Sequence, residues 1–336
     1  MIGHARAPLR IDLAGGWTDV APYSAAAGGA VVNVAIDLHA HAQVRPRRGG
    51  VSLHALDLGA AVTARCADEL RTDGEFGLLK AAARRYGPAG GFEVLTSSEA
   101  PPGSGLGGSG AMGVALVAAF AALREERPLA AELAQRAFEL EAADVGILGG
   151  KQDQYAAALG GCLWLEFADP AVSATRLAIP ADALRELERH LVLCYTGVSR
   201  LSAEMHGQVW NRFRGGDAAT ARALEGLKAC ASAMRDALVA GDLPAVAEVL
   251  SRNWAHQRTL GEGMETDRMR ALQRAATAAG AAGCKACGAG AGGCMVFLAR
   301  AGKAFAVAEA LRNAGGQVLR CAFAAEGVVA WTAAER

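Results

Sequence analysis

Between residues 8 and 42, apolar and polar positions partly alternate in short runs broken by glycine, "LRIDLAGG" and then "GGAVVNVAIDLHAHAQV". A two-residue period of this kind predicts strands with one buried face. A further strand is predicted at 91–95, with a helix over 73–86 before it. Residues 111–123 are apolar on every side, which predicts a helix buried in the middle of a domain. Pro128 suits the first turn of the next helix, running to about residue 143. A strand at 162–167, a polar stretch over 168–189 and a new strand in "HLVLCYTG" follow, and then long Ala-rich helices cover 218–260. The final third reads as a helix (265–279), a glycine loop, a strand (294–299), a helix (303–314) and two strands, "QVLRCAFA" and "GVVAWTA". Helices interleaved with hairpin-like strands predict an α+β fold rather than a doubly wound sheet, in two domains, 1–185 and 186–336.

Composition narrows the function. With 52% hydrophobic and 20% charged residues in 336, the chain can bury a substantial core and is not disordered. Thirty-four basic residues balance 34 acidic ones, so no broad field argues for nucleic acid or an anionic membrane surface. The longest uncharged apolar run, 111–123, falls short of the roughly 20 residues that span a bilayer, and the N-terminus has no apolar signal-like core. The expectation is a soluble cytoplasmic protein, monomer or homodimer. Eight cysteines sit mostly in apolar segments and are expected to be reduced and buried. Cys284 and Cys287 have zinc or redox spacing, but no second such pair accompanies them, so a metal is discounted.

The chemistry concentrates at residues 101–111, "PPGSGLGGSGA", which opens the buried helix. Its glycines fit G-x-G-x-x-G, yet Pro101 and Pro102 cannot belong to a central strand, and no second strand carries a ribose-binding acid. No lysine follows Gly108, so it is not a Walker A loop either. What remains is a loop of unobstructed backbone N–H groups at a helix N-terminus, suited to phosphate. A tight structural turn is the alternative.

Three more segments accompany it: "APLRIDLAGGWTD" (7–19), "GGKQDQ" (149–154) and "KACGAGAGGC" (285–294). With these the sequence resembles the GHMP kinases, the family of galactokinase, homoserine and mevalonate kinases, over nearly the whole chain. The opening segment, "GGKQDQYAAALGGCLWLEF" and "YTGVSRLSAEM" look most like the bacterial D-glycero-D-manno-heptose 7-phosphate kinase branch. The resemblance implies an N-terminal domain like ribosomal protein S5 domain 2 and a ferredoxin-like C-terminal domain. It implies ATP and Mg²⁺ as cofactors, and a sugar phosphate as substrate, phosphorylated at its anomeric hydroxyl for nucleotide-activated heptose synthesis. An L-fucokinase- or galactokinase-like kinase and a non-catalytic sugar and ATP sensor are the alternatives.

Carried onto this chain, the resemblance makes Asp153 the acceptor of the attacking hydroxyl's proton and puts Arg10 at the reaction centre, where charge must be stabilised. It assigns ATP to Pro102, Gly103, Ser104, Gly105, Leu106, Gly107, Gly108, Ser109 and Gly110, and Mg²⁺ to Ser109 with Glu141. Asp19, with Thr18, Gly16, Gly150 and Gly290, is expected to face the sugar, and Lys151 and Arg200 its phosphate. Each residue also has a plain structural reading: Arg10 paired with Asp12, Asp153 as a helix cap, Glu141 on a solvated helix face, Lys151 and Arg200 as solvated or charge-balancing cations. Relatives usually carry consecutive Ser or Thr where this chain reads Gly108-Ser109-Gly110, which puts the fine geometry of the nucleotide site in question.

Overall fold

The computed structural model describes residues 1–198 and 202–334. In chain order the elements are β1 (Ile2–Ala14), α1 (Ala21–Ala27), β2 (Gly29–Arg47), β3 (Val51–Ala55), β4 (Ala60–Ala64), α2 (Gly77–Tyr86) and β5 (Gly91–Ser98). Next come α3 (Gly108–Leu123), α4 (Ala130–Glu139), α5 (Gln152–Leu159), β6 (Cys162–Ala168), β7 (Ala171–Arg176), α6 (Ala181–His190) and β8 (Leu191–Tyr195). The last third holds α7 (Ser202–Arg214), α8 (Ala218–Ala240), α9 (Leu243–Gln257), α10 (Asp267–Ala279), β9 (Ala281–Ala286), β10 (Cys294–Ala299), α11 (Ala304–Asn313), β11 (Gln317–Leu319) and β12 (Val329–Ala333).

The strands form an eight-stranded sheet with the path β12-β1-β2-β5-β3-β4, from which β6 branches off β2 and carries β7, and a four-stranded antiparallel sheet ordered β11-β8-β10-β9. Strand β2 is long enough to serve two partners, β6 along residues 29–34 and β5 along 40–47. Helix α3 is buried between this sheet and α5, as its all-round apolar sequence requires. The Ala-rich helices start where side chains can cap them: Asp217 accepts from the Thr220 amide, Asp242 from that of Ala245, and Thr266 from that of Met269.

The α+β reading holds, and several elements were not foreseen. Strands β3, β4 and β7 and helices α6 and α7 are among them: β7 gives no period because it is exposed or half-exposed throughout, whereas β3 alternates apolar and polar residues and α6 places Leu184 and Leu187 on one face inside a stretch read as polar. The proposed division at residue 185 cuts through α6, and the chain's end does not stay in the second domain. Strand β12 returns to pair with β1 in the first sheet, Ile2 opposite Ala333. Among the described residues no helix is long and apolar enough to cross a membrane. All eight cysteines are free, six of them buried.

Candidate active site

A cleft of about 390 Å³ opens where the end of β1, the loop before α3, the start of α5 and the loop after β9 meet. Arg10 and Asp153 are its centre. Arg10 rises from β1; its Nε donates to Asp153 Oδ1 at 2.8 Å, and Nη2 lies 2.7 Å from the same oxygen as an ion-pair contact. Oδ2 is left without a partner among the described residues, in a side chain 27% exposed to the cleft. Nη1 donates to the carbonyls of Gly105 (2.6 Å) and Cys287 (3.0 Å), so one guanidinium ties the carboxylate to both glycine loops. Three of its five N–H groups are thereby engaged in hydrogen bonds. Burial opposes the Arg10 charge, but Asp153 and Asp12 outweigh it and hold the pKa above the ordinary value.

The two loops touch through glycine. A Cβ on Gly288 would fall 2.8 Å from the Gly105 Cα, so neither position has room for a larger residue. Gly103, Gly105 and Gly107 have φ of 67, 72 and 76°, the left-handed region that glycine enters freely, and Gly107 caps α3. The Cys294 amide closes the seam on the Ser104 carbonyl at 2.7 Å.

Asp19 lies buried beside the start of α5. The Gln152 amide donates to its Oδ2 at 3.2 Å, and a side chain on Gly150 would collide with its carboxylate. Burial, seconded by the charge of Asp153, pushes its pKa up to about 7. Gly16 is held to glycine in the same way by the carboxylate of Asp12.

Ser109 Oγ donates to Glu141 Oε1 at 2.5 Å, and Gln154 Nε2 donates to Oε2 at 2.7 Å. Glu141 sits in a single π-turn, Leu140–Asp144, that continues α4 and turns the carboxylate toward α3. Burial pushes its pKa up against those two hydrogen bonds, and no cation offsets its charge among the described residues. A half-buried carboxylate with a hydroxyl beside it and no counter-ion among the described residues fits Mg²⁺, which takes one or two protein oxygens and fills its shell from phosphate and water. Among the described residues no group of three or more His, Cys, Asp or Glu side chains could hold a metal ion by itself.

Comparison with known proteins follows from this geometry. Residues 76–161 match the GHMP kinases N terminal domain and residues 234–317 the GHMP kinases C terminal domain. The chain is 32% identical to D-glycero-alpha-D-manno-heptose 7-phosphate kinase of Campylobacter jejuni over 96% of its own length and 97% of that protein. It belongs to the GHMP kinases. A solved D-glycero-D-manno-heptose 1-phosphate kinase of Bacteroides thetaiotaomicron superposes on it with a TM-score of 0.81 at 29% identity, covering 99% of this chain and all of that one. Lactococcus lactis galactokinase, at 20% identity, shares the fold with a TM-score of 0.81 over 98% of this chain and 95% of its own.

Within this GHMP kinase the structure brings together Arg10, Gly16, Asp19, Pro102, Gly103, Ser104, Gly105, Gly107, Gly108, Ser109, Glu141, Gly150 and Asp153 along one cleft. Five expected residues lie elsewhere. Thr18 is fully buried, its hydroxyl accepting from the Ala30 amide and within donating distance of the Gly15 carbonyl, at 2.7 Å, and that of Ala30, so it shapes the turn and does not face a sugar. Lys151 turns away to Asp169 (3.0 Å) and the Pro170 carbonyl (2.9 Å), over the ring of Phe138, and is not free for a substrate phosphate. Leu106 is buried, and its carbonyl accepts from the Arg10 amide. Gly110 faces α5, and Gly290 faces Met264, leaving Gly288 and Ala289 as the second loop's residues on the cleft. Arg200 lies outside the described residues.

Sequence reasoning missed Trp17 and His206, both on the cleft wall, and the buried Asp12–Lys285 ion pair at 2.9 Å beneath it. Trp17 could have been singled out as a large aromatic inside a glycine motif. His206 carried no signal, because its helix was not foreseen.

Proposed function

We propose that this GHMP kinase transfers the γ-phosphoryl group of ATP to the anomeric hydroxyl of D-glycero-D-manno-heptose 7-phosphate, giving the 1,7-bisphosphate, in the cytoplasm where ATP is made. The observation that carries the reading is the Arg10–Asp153 pair, with one carboxylate oxygen free beside Asp19, in a chain similar over its full length to a heptose 7-phosphate kinase.

Phosphoryl transfer asks mainly for positioning and charge stabilisation. Asp153 Oδ2 would accept the proton of the attacking hydroxyl, with the carboxylate held in place by Arg10 through Oδ1. Arg10 acts chiefly as a positioning residue, since its Nε and Nη1 are committed to Asp153 and the two glycine loops and only Nη2 remains for the transferring group. Asp19 would accept hydrogen bonds from sugar hydroxyls. The backbone of residues 102–109 and the N-terminus of α3 would hold the triphosphate. Magnesium between Ser109 and Glu141 would neutralise charge on the phosphate oxygens.

An ADP-coupled assay over a panel of sugars tests this, with ³¹P NMR to locate the new phosphate. Turnover is expected with the heptose phosphate and a signal at C1. Absent turnover on that sugar, beside robust turnover on L-fucose or galactose, would remove the assignment. One observation favours this second reading: the described cleft offers no free cation for a second phosphate, because Arg10 is tied to Asp153 and Lys151 to Asp169. An L-fucokinase/L-fucose-1-P guanylyltransferase of Bacteroides fragilis, 28% identical over 80% of this chain, belongs with it.

A further inference from the structure

Two rings on the cleft wall have no part in the chemistry so far. Trp17 has a φ of +79°, a region that bulky side chains rarely enter and that concentrates at functional sites when it is enforced. It is 5% exposed, and its Nε1–H has no acceptor among the described residues. Buried indole N–H groups are nearly always paired with a protein group, water or ligand, so the unpaired Nε1–H of Trp17, in a ring that lines the cleft, is a donor without an accounted partner.

His206 comes from the other half of the chain, on α7, and stacks on Trp17 with ring centroids 4.5 Å apart and planes 28° from parallel. Its Nδ1 lies 3.2 Å from the indole nitrogen of Trp210, one turn further along α7. An indole N–H can only donate, so Nδ1 must accept. The neutral ring then carries its hydrogen on Nε2. Burial, opposed by the charge of Asp153, pushes the His206 pKa down to about 4 and keeps the ring neutral through the physiological range. The stacked pair therefore presents two N–H donors and no free acceptor.

We infer that Trp17 and His206 read the sugar: their ring N–H groups donate to its oxygen atoms while Asp19 accepts from its hydroxyls, so the stacked pair sets sugar specificity. This rests on the sugar-kinase reading above. A merely structural aromatic contact does not account for the arrangement, since phenylalanine at residue 17 would pack without leaving a buried donor unpaired. The strained backbone at Trp17 also has a use here, because it places the ring against α7.

His206→Phe keeps a ring against Trp17 and removes the Nε2 donor together with the Nδ1 acceptor of the Trp210 indole, a loss that its melting temperature checks; Trp17→Phe removes the other donor and leaves that bond intact. Each is expected to raise the KM for the sugar roughly 5- to 50-fold, the usual range for a lost hydrogen bond to substrate, with the KM for ATP changed less than about twofold. In the wild type, ¹H–¹⁵N correlation of the imidazole is expected to show the Nε2–H tautomer at neutral pH, a readout that needs no variant to fold. Unchanged sugar KM in both variants at wild-type melting temperature overturns the inference, as does an equal rise in the KM for ATP or an Nδ1–H tautomer. A wild-type protein that phosphorylates no sugar overturns the kinase reading and this inference together. A wild type that turns over a sugar, beside variants with unaltered sugar KM, overturns the inference alone.

Discussion

Adding one methyl group at Gly110, and separately at Gly108, tests why this phosphate loop is poor in serine. Both glycines lie in the first turn of α3, so the intrinsic helix preference gained on replacing glycine with alanine, at most about 1 kcal/mol, is similar at the two sites. Their surroundings differ. A Cβ at Gly110 would lie 2.6 Å from the Asp153 Cβ, 3.1 Å from the Gln154 amide nitrogen and 3.2 Å from the Asp153 carbonyl carbon. Carbon atoms pack at about 3.5–4.0 Å, so the shortfall is about 1 Å, and it falls largely on the backbone of α5, where no rotamer change can relieve it. At Gly108 a Cβ meets nothing within 4 Å.

Overpacking of this kind costs about 1–3 kcal/mol, and the difference between Gly110→Ala and Gly108→Ala isolates it from propensity. The movement carries Asp153 with it, and a displacement near 1 Å at a reacting group lowers a rate by about 10²-fold. Gly110→Ala should melt a few °C lower and lose roughly 10- to 100-fold in kcat, while Gly108→Ala should match or exceed the wild type in melting and keep its kcat. Differential scanning fluorimetry and an ADP-coupled assay read both. Wild-type kcat and melting in Gly110→Ala would show that α3 and α5 do not meet as described. An equal loss in Gly108→Ala would place the cause in the loop backbone instead.

Asp153→Asn should lower kcat by roughly two to four orders of magnitude while ATP binding by calorimetry stays within a few-fold, and unchanged turnover would take Asp153 out of the chemistry. Glu141→Gln should raise the Mg²⁺ concentration needed for half-maximal rate by about tenfold or more, checked by metal titration at fixed ATP. Asp19 titrates at about 7 in the folded chain and near 3.8 when unfolded, so its stabilising contribution is complete below pH 4 and is lost as pH rises through 7. The stability gap between Asp19→Asn and the wild type should therefore widen from pH 4 to pH 8 by on the order of a few kcal/mol, and a gap independent of pH would contradict the burial of that carboxylate.

Local signals were read correctly where the physics is local. The glycine-rich loop does open the helix read after it, and that helix is buried because its sequence is apolar on all sides; the left-handed backbone at Gly103, Gly105 and Gly107 is the structure's addition. What sequence spacing could not supply was pairing at a distance. Lys151 sits in the middle of a segment expected to supply a phosphate contact, yet its charge is claimed by Asp169, beyond α5 and β6. Strand β12 joins β1 across more than 300 residues, a connection that neither segment's composition announces. The serine-poor loop divides the same way: Gly110 is demanded by a neighbouring helix that the loop's own sequence does not mention, whereas nothing around Gly108 forbids a side chain.

These distant pairings also explain how two sheets make one site. Arg10 and Asp12 lie two residues apart on β1, and Lys285 and Cys287 two apart at the end of β9, so each pair projects on one side of its strand. The exchange is reciprocal: Arg10 donates to the Cys287 carbonyl, and Lys285 donates to the carbonyl and Oδ2 of Asp12. Removing such charges from water offsets much of what their attraction returns, so a fully buried Lys285–Asp12 pair is a weak source of stability. Its directionality is another matter. An apolar seam would tolerate sliding, whereas these directional bonds hold the second glycine loop in one register over the first, and a misplacement of about 1 Å at a reacting group costs about 10²-fold in rate.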